Sequence, residues 1–212
     1  MSDPSQFALT PTLEIPLFPL TTVLFPGGYL PLQIFEVRYL TMIRECAKKK
    51  EAFGVVTLMH GQETRKPGED IRLSPVGTLA GLEEIEEETP SLLKVKTTGR
   101  QRFQLKSADQ LDNGLWMGTV ELMKEDPAVS VPEDLQRCAH LLVELIHSFD
   151  EQNIPPHQRP IQPPHHLDDC GWLANRWCEV LPIQTDIKLQ LLGLDNPLVR
   201  LELINDLIKT PS

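Results

Sequence analysis

The sequence is short of positive charge. Thirty Asp and Glu stand against 20 Lys and Arg, giving a formal net charge of −10 and an isoelectric point near 5.1. Such a surface repels phosphate backbones, and no basic run interleaved with aromatics occurs, so nucleic acid is not an expected partner. Cysteine is scarce as well: Cys46, Cys138, Cys170 and Cys178, with no CxxC pair. The opening MSDPSQFALTPT has no basic start and no compact apolar stretch before a cleavage site. Both features point to reduced thiols in a cytoplasmic protein rather than an exported disulfide framework. Missing too are the motifs GxxxxGK[ST], GxSxG, HExxH and GxGxxG, so no catalytic centre and no cofactor is implied.

What the chain does have is an uncharged run, IPLFPLTTVLFPGGYLPLQIF, over residues 15–35. Its length matches a membrane span. Pro16, Pro19, Pro26 and Pro31, with Gly27-Gly28, rule a spanning helix out, because each proline removes a backbone donor that hydrocarbon cannot replace. The run therefore reads as opening strands and turns, and no membrane partner is expected.

Residues 13 to about 126 read as β with one helix. EVRYLTMIRECAKKK (36–50) places Tyr39, Leu40, Ile43, Cys46 and Ala47 on one face and Arg38, Thr41, Glu45 and Lys48 away from it. KKK is the solvated helix end, and EEIEEE (83–88) a solvated strand end or loop. Strands are expected at 53–59, at 71–85 with a bend near Pro75, at 91–105 with a bulge or turn at Gly99, and at 115–123 after the Asp112-Asn113-Gly114 turn.

After EDPAVSVPED the composition shifts to helix. Ser130 and Glu133 have the spacing of a capping box, with Pro132 suited to the first turn. Leu135, Cys138, Leu142, Leu145 and Phe149 then form one helix face. The connector NIPPHQRPIQPP (153–164) is either mobile or a strap laid across a surface. Three helices close the chain. The first shares a face of Cys170, Leu173, Ala174, Trp177 and Leu181; the second is capped by Thr185 and stopped by Gly193; the third follows Asp195-Asn196 with Pro197 at its first position.

Metal ligands have one candidate grouping, His165 and His166 with Cys170 and Cys178. Cys178 lies two turns beyond Cys170, about 12 Å along a helix axis, too far to share an ion with it. Buried thiols and a loop histidine pair account for these residues, so no metal is expected. His60 and His140 sit beside apolar residues as ordinary histidines.

IPLFPLTTVLFPGGYLPLQIFEVRYLTMI resembles the start of the Lon protease N-terminal domain. The resemblance is carried by Ile15 to Leu20, Val23, Phe25 to Gly27, Pro31, Leu32, Ile34 to Glu36, Arg38 and Tyr39, and continues through VGTLAGL (76–82) and TTGRQRFQL (97–105). It implies an α+β fold: a PUA-like β-barrel with one long helix over residues 1–126, followed by a C-terminal helical bundle over 127–212. It also implies recognition of unfolded or extended polypeptide without the Lon ATPase phosphate loop or Ser–Lys dyad, neither of which occurs in these 212 residues. Within the motif, Phe25, Leu32, Ile34 and Phe35 read as core, Gly27 and Gly28 as a turn, and Glu36 with Arg38 as the helix entrance. The expected function is a non-catalytic peptide-binding module, with Leu20, Phe25, Tyr29 and Leu30 as the candidate peptide contacts. The alternatives are an adaptor docking on an ATP-dependent protease, a chaperone or another assembly, and, third, RNA binding through the barrel.

Overall fold

The computed structural model describes residues 12–60 and 71–209. The opening MSDPSQFALTP, read above as lacking an export signal, lies outside the described residues. Six strands come first: β1 (Thr12–Leu20), β2 (Tyr29–Ile34), β3 (Phe53–His60), β4 (Arg72–Thr89), β5 (Leu92–Gln110) and β6 (Trp116–Leu122). Helix α1 (Val37–Lys49) lies between β2 and β3, and α2 (Gln136–Glu151), α3 (Cys170–Val180), α4 (Thr185–Leu192) and α5 (Pro197–Lys209) follow the strands. The fold is mixed α+β. No described helix is long and apolar enough to cross a membrane.

The sheet order is β2-β5-β4-β3-β1-β6, and β6 also pairs with β5, so five strands form a closed circuit of pairings with β2 added outside β5. β1 carries two prolines and still takes part. Residues 12–17 pair with β6 and residues 17–20 with β3, so Pro16 and Pro19 each have one side on which no ladder partner is required. Pro31 sits in β2, which among the described residues pairs with β5 alone, a location that tolerates a missing donor. β4 and β5 are longer than the sequence suggests. EEIEEE continues β4 because β5 supplies cations opposite: Glu84 meets Lys96 (2.5 Å), Glu83 meets Arg100 (2.6 Å), and Glu88 pairs with Lys94. Pro75 does not break β4. At Gly99 the strand continues through a register shift, as a bulge, so that expectation holds.

Three apolar clusters make the core. Leu17, Val56, Phe103 and Val120 fill the strand circuit. Phe18, Leu20, Leu24 and Ile34 pack with the Tyr39, Leu40, Ile43 and Cys46 face of α1, the stripe expected for that helix. The third cluster joins Leu135, Cys138, Leu142, Leu173 and Leu201 of the helical half with Val23 and Phe25 from the opening loop. Phe35 departs from expectation. It is 68 % exposed and its neighbour Val37 77 % exposed, because the alternation that buries Ile34 turns the next side chain outward.

Helix ends also differ in detail. Glu36 is the N-cap of α1 through its backbone alone, its carboxylate going instead to Arg38 (2.7 Å). Arg38 covers the Tyr39 ring and donates to the Gly114 carbonyl (2.8 Å), which fixes the helix entrance as expected. The Ser130–Glu133 capping box does not form. Pro132 occupies the cap of a short 3₁₀ turn at residues 133–135, and Ser130 bridges to Asp169 instead. For α4, Gln184 is the cap and Thr185 the first helical residue. The Asn196 side chain caps α5 through the Leu198 and Val199 amides, and Pro197 opens that helix. The proline-rich connector is a strap: Ile161 is buried in the helical core, and Gln162 donates to the Pro156 and Arg159 carbonyls.

Candidate functional site

A cleft of about 750 Å³ opens between the strand circuit and the helices. Its apolar wall comes from Pro26, Ala52, Leu79, Ala128 and Trp172. Three local arrangements position that wall.

The first is the Pro26-Gly27-Gly28 turn. Gly27 has φ +73°, in the left-handed region that a side chain resists. The turn bonds to Gly99 twice, Gly27 N–H to the Gly99 carbonyl and Gly99 N–H to the Gly28 carbonyl, both at 2.8 Å. A Cβ on Gly99 would collide with the Phe25 carbonyl oxygen, so this close backbone approach requires glycine. From the other side α3 grips the turn. Arg176 donates to the Gly27 carbonyl (2.5 Å) and the Pro26 carbonyl (3.0 Å), and Asn175 reaches Pro26 as well.

The second arrangement is the start of α3. The Asp169 carboxylate accepts from the Trp172 amide (2.7 Å), satisfying an end-of-helix donor and fixing where Trp172 begins its side chain. The indole lies against the rings of His165 (5.9 Å) and His166 (6.1 Å), with the Arg176 guanidinium 5.6 Å from its centroid.

The third is a buried ion network beneath the cleft. Asp126 accepts from Arg102 of β5 (2.8 Å) and from Arg200 of α5 (2.6 and 3.2 Å). Arg102 also donates to the carbonyls of Leu192, Leu194 and Lys124, and Arg200 to Asn175 and Leu191. Burial pushes the Arg102 guanidinium below its ordinary value, opposed by Asp126. This cluster of charge-assisted bonds ties sheet to helices.

Next to the turn, Glu179 contacts Arg176 at 2.9 Å and has a side chain only 15 % exposed. Burial pushes its carboxyl up to about 7, against the opposing pull of Arg176 and Lys188. A smaller cavity of about 110 Å³ separates Glu179 and Lys188 from Tyr29 and Leu30.

The four expected peptide contacts are not brought together. Phe25 is completely buried in the helical core and Leu20 is 7 % exposed in the α1 cluster. As large apolar side chains in a run that must cross between two cores, both are drawn inward. Tyr29 and Leu30 remain half-buried beside the small cavity, and Tyr29 also borders a cavity of about 740 Å³ on the β2–β5–β4 face. Of the metal candidates, Cys170 is buried and donates to the Ser130 carbonyl (3.5 Å), and Cys178 is buried inside α3. Burial raises their thiols to about 11 and about 12. His165 and His166 face Trp172. Among the described residues no group of three or more His, Cys, Asp or Glu is placed to hold a metal. His60 and His140 are exposed. Trp172 and the Pro26 wall were not among the expected contacts. A signal was present for Trp172, an aromatic lying off the apolar stripe of its own helix.

This fold and cleft define a mixed α+β protein that presents an apolar groove with a charged rim. Residues 14–210 match the family model of the ATP-dependent protease La (LON) substrate-binding domain, and the chain belongs to that family. A crystal structure of a Lon N-terminal domain protein from Xanthomonas campestris is similar, with a TM-score of 0.70 and 27 % identity, covering 94 % of this chain and 99 % of that one. The N-terminal domain of Mycobacterium avium complex Lon protease shares the fold at 15 % identity and a TM-score of 0.54, covering 92 % and 97 %. Protein cereblon from Gallus gallus is 27 % identical over 150 residues, 69 % of this chain and 30 % of that protein. Protein cereblon from Xenopus tropicalis is 26 % identical over 168 residues, 76 % and 33 %. The matched part thus spans about a third of those relatives.

Proposed function

We propose that this chain is a non-catalytic, cofactor-free module that binds unfolded or extended polypeptide in the cleft between strands and helices. The observation that carries this reading is the 750 Å³ groove, with Trp172, Pro26 and Leu79 on its wall and Arg100, Lys124 and Asp168 at its edge. A groove of this size, apolar within and polar at its rim, suits side chains from an extended segment. Membership in a substrate-binding family supports the same reading. We read the closed strand circuit as a PUA-like barrel and the later helices as a bundle, dividing near residue 126, where strands give way to helices after Leu122. The location we propose is cytoplasmic, consistent with four cysteines that are all unpaired and buried.

The test is binding of a fluorescent, chemically unfolded protein and of apolar peptides by anisotropy. Trp172→Ala and Ala128→Trp, the second filling the groove from an exposed position, are each expected to weaken binding at least about tenfold with an unchanged circular dichroism spectrum. Absent binding by the wild type, or binding indifferent to both variants, defeats the reading. A second reading, an adaptor docking on an ATP-dependent protease, a chaperone or another assembly, is favoured by the exposed Phe35 and Val37. It predicts one folded partner in pull-downs, lost on Phe35→Ser with Val37→Ser.

A further inference from the structure

Charge at the cleft is not balanced, and the imbalance bears on what enters it. Each charged group that lines the cleft has a traceable state. Arg100 is neutralised by Glu83 at 2.6 Å. Arg102 and Asp126 are locked in the buried network with Arg200, in which the two guanidiniums are balanced by Asp126 and by Asp195, 3.8 Å from Arg102. Asp169 is committed to the Trp172 and Val129 amides at the start of α3, where the helix dipole offsets its charge. That leaves Glu125, Asp168 and Lys124, all exposed and with no ion pair among the described residues. Two uncommitted carboxylates therefore face one uncommitted ammonium, on a chain whose net charge is −10.

We propose, resting on the cleft reading above, that the preferred occupant is an extended segment whose apolar residues are flanked by lysine or arginine, the apolar part against Trp172 and Pro26 and the basic part at Glu125 and Asp168. The walls supply affinity without regard to charge, because apolar burial is non-directional. The rim supplies discrimination, since a basic flank meets two attractive carboxylates against the one repulsive ammonium of Lys124, and an acidic flank meets the reverse. The long-range field of the acidic chain acts in the same sense and raises the encounter rate of cationic segments. Both rim groups are solvated, so the preference belongs to low ionic strength and fades as salt screens it.

Two synthetic peptides with one shared apolar centre, one flanked by lysines and one by glutamates, test this on the full chain. The lysine-flanked peptide is expected to bind about tenfold tighter in dilute buffer, the ratio narrowing to about twofold in high salt. In the double variant Glu125→Gln with Asp168→Asn the ratio falls toward one at every salt concentration, read as the ratio of the two charged peptides on the same variant so that any loss of affinity common to both cancels. Equal affinities for the two peptides, tighter binding of the glutamate-flanked one, or a lysine preference unchanged in the double variant overturns the charge rule and leaves the cleft reading standing. If an uncharged peptide with the same centre does not bind, or binds regardless of Trp172→Ala, the cleft reading fails and takes this proposal with it.

Discussion

Glu179 shows how one residue carries a pH signature. Its carboxyl lies near 4.5 in an unfolded chain and about 7 in the fold, with burial as the leading cause. The folded protein therefore holds this proton more tightly than the unfolded one does. Its contribution is fully present below about pH 4.5 and is lost as pH rises through about 7, a change of at most about 3 kcal/mol. Urea unfolding across pH 4.5–8 should show the wild type losing this increment relative to Glu179→Gln, which has no such group to titrate. Parallel curves for the two proteins would mean that Arg176 keeps the carboxylate ionised throughout. The same scale explains the misplaced phenylalanines. Phe25 and Phe35 look alike in an uncharged run, yet the first is buried completely and the second is 68 % exposed. Alternation after the buried Ile34 turns Phe35 outward, whereas Phe25 is buried by the core its segment reaches.

At the scale of elements, the helices were legible and the turns less so. The faces of α1 and α2 follow from periodicity because each has one core to meet, whereas α3 buries Asn175, Arg176 and Cys178 in addition to its apolar stripe. The Ser130–Glu133 box satisfied the spacing, but a backbone bridge to Asp169 takes up Ser130 and the helical turn starts only after Pro132. The length of β4 was hidden for a related reason: its glutamates are stable in a strand only because Lys94, Lys96 and Arg100 arrive on β5. The proline-rich connector, open to two readings in the sequence, is resolved by Ile161, whose buried side chain pins it. Ile161→Ala should cost about 2–5 kcal/mol in chemical denaturation and expose residues 153–164 to limited proteolysis. A variant as stable and as protease-resistant as the wild type would mean that the hydrogen bonds of Gln162 and Arg159 alone hold the strap.

The whole molecule is joined by few but costly contacts. Asp126 lies between two guanidiniums that are almost entirely buried, one from β5 and one from α5. Removing it leaves the buried Arg200 without its carboxylate and Arg102 with only the exposed Asp195 at 3.8 Å, so Asp126→Ala should lose about 3–5 kcal/mol. The network and the shared cluster around Phe25 connect strands to helices, and the wild type is expected to unfold in one transition by both tryptophan fluorescence and circular dichroism. In Asp126→Ala on a Trp116→Phe background the two probes should separate, because Trp172 and Trp177 then report on the helical half alone while the ellipticity near 215 nm also follows the strands. Coincident curves for the variant would place the coupling in the apolar contacts instead.

The sequence alone determined the class of fold, the helix faces, the exclusion of a membrane-spanning helix at residues 15–35 and the family. Each of these depends on spacing along the chain, which local steric and hydrophobic rules read directly. Only the tertiary structure decided where the binding surface lies. The cleft gathers Pro26, Leu79, Ala128 and Trp172 from four distant segments, and the Gly99 and Arg176 contacts that hold its turn join residues far apart in sequence. No periodicity encodes such a meeting, because it follows from how the closed sheet and the helices share one core.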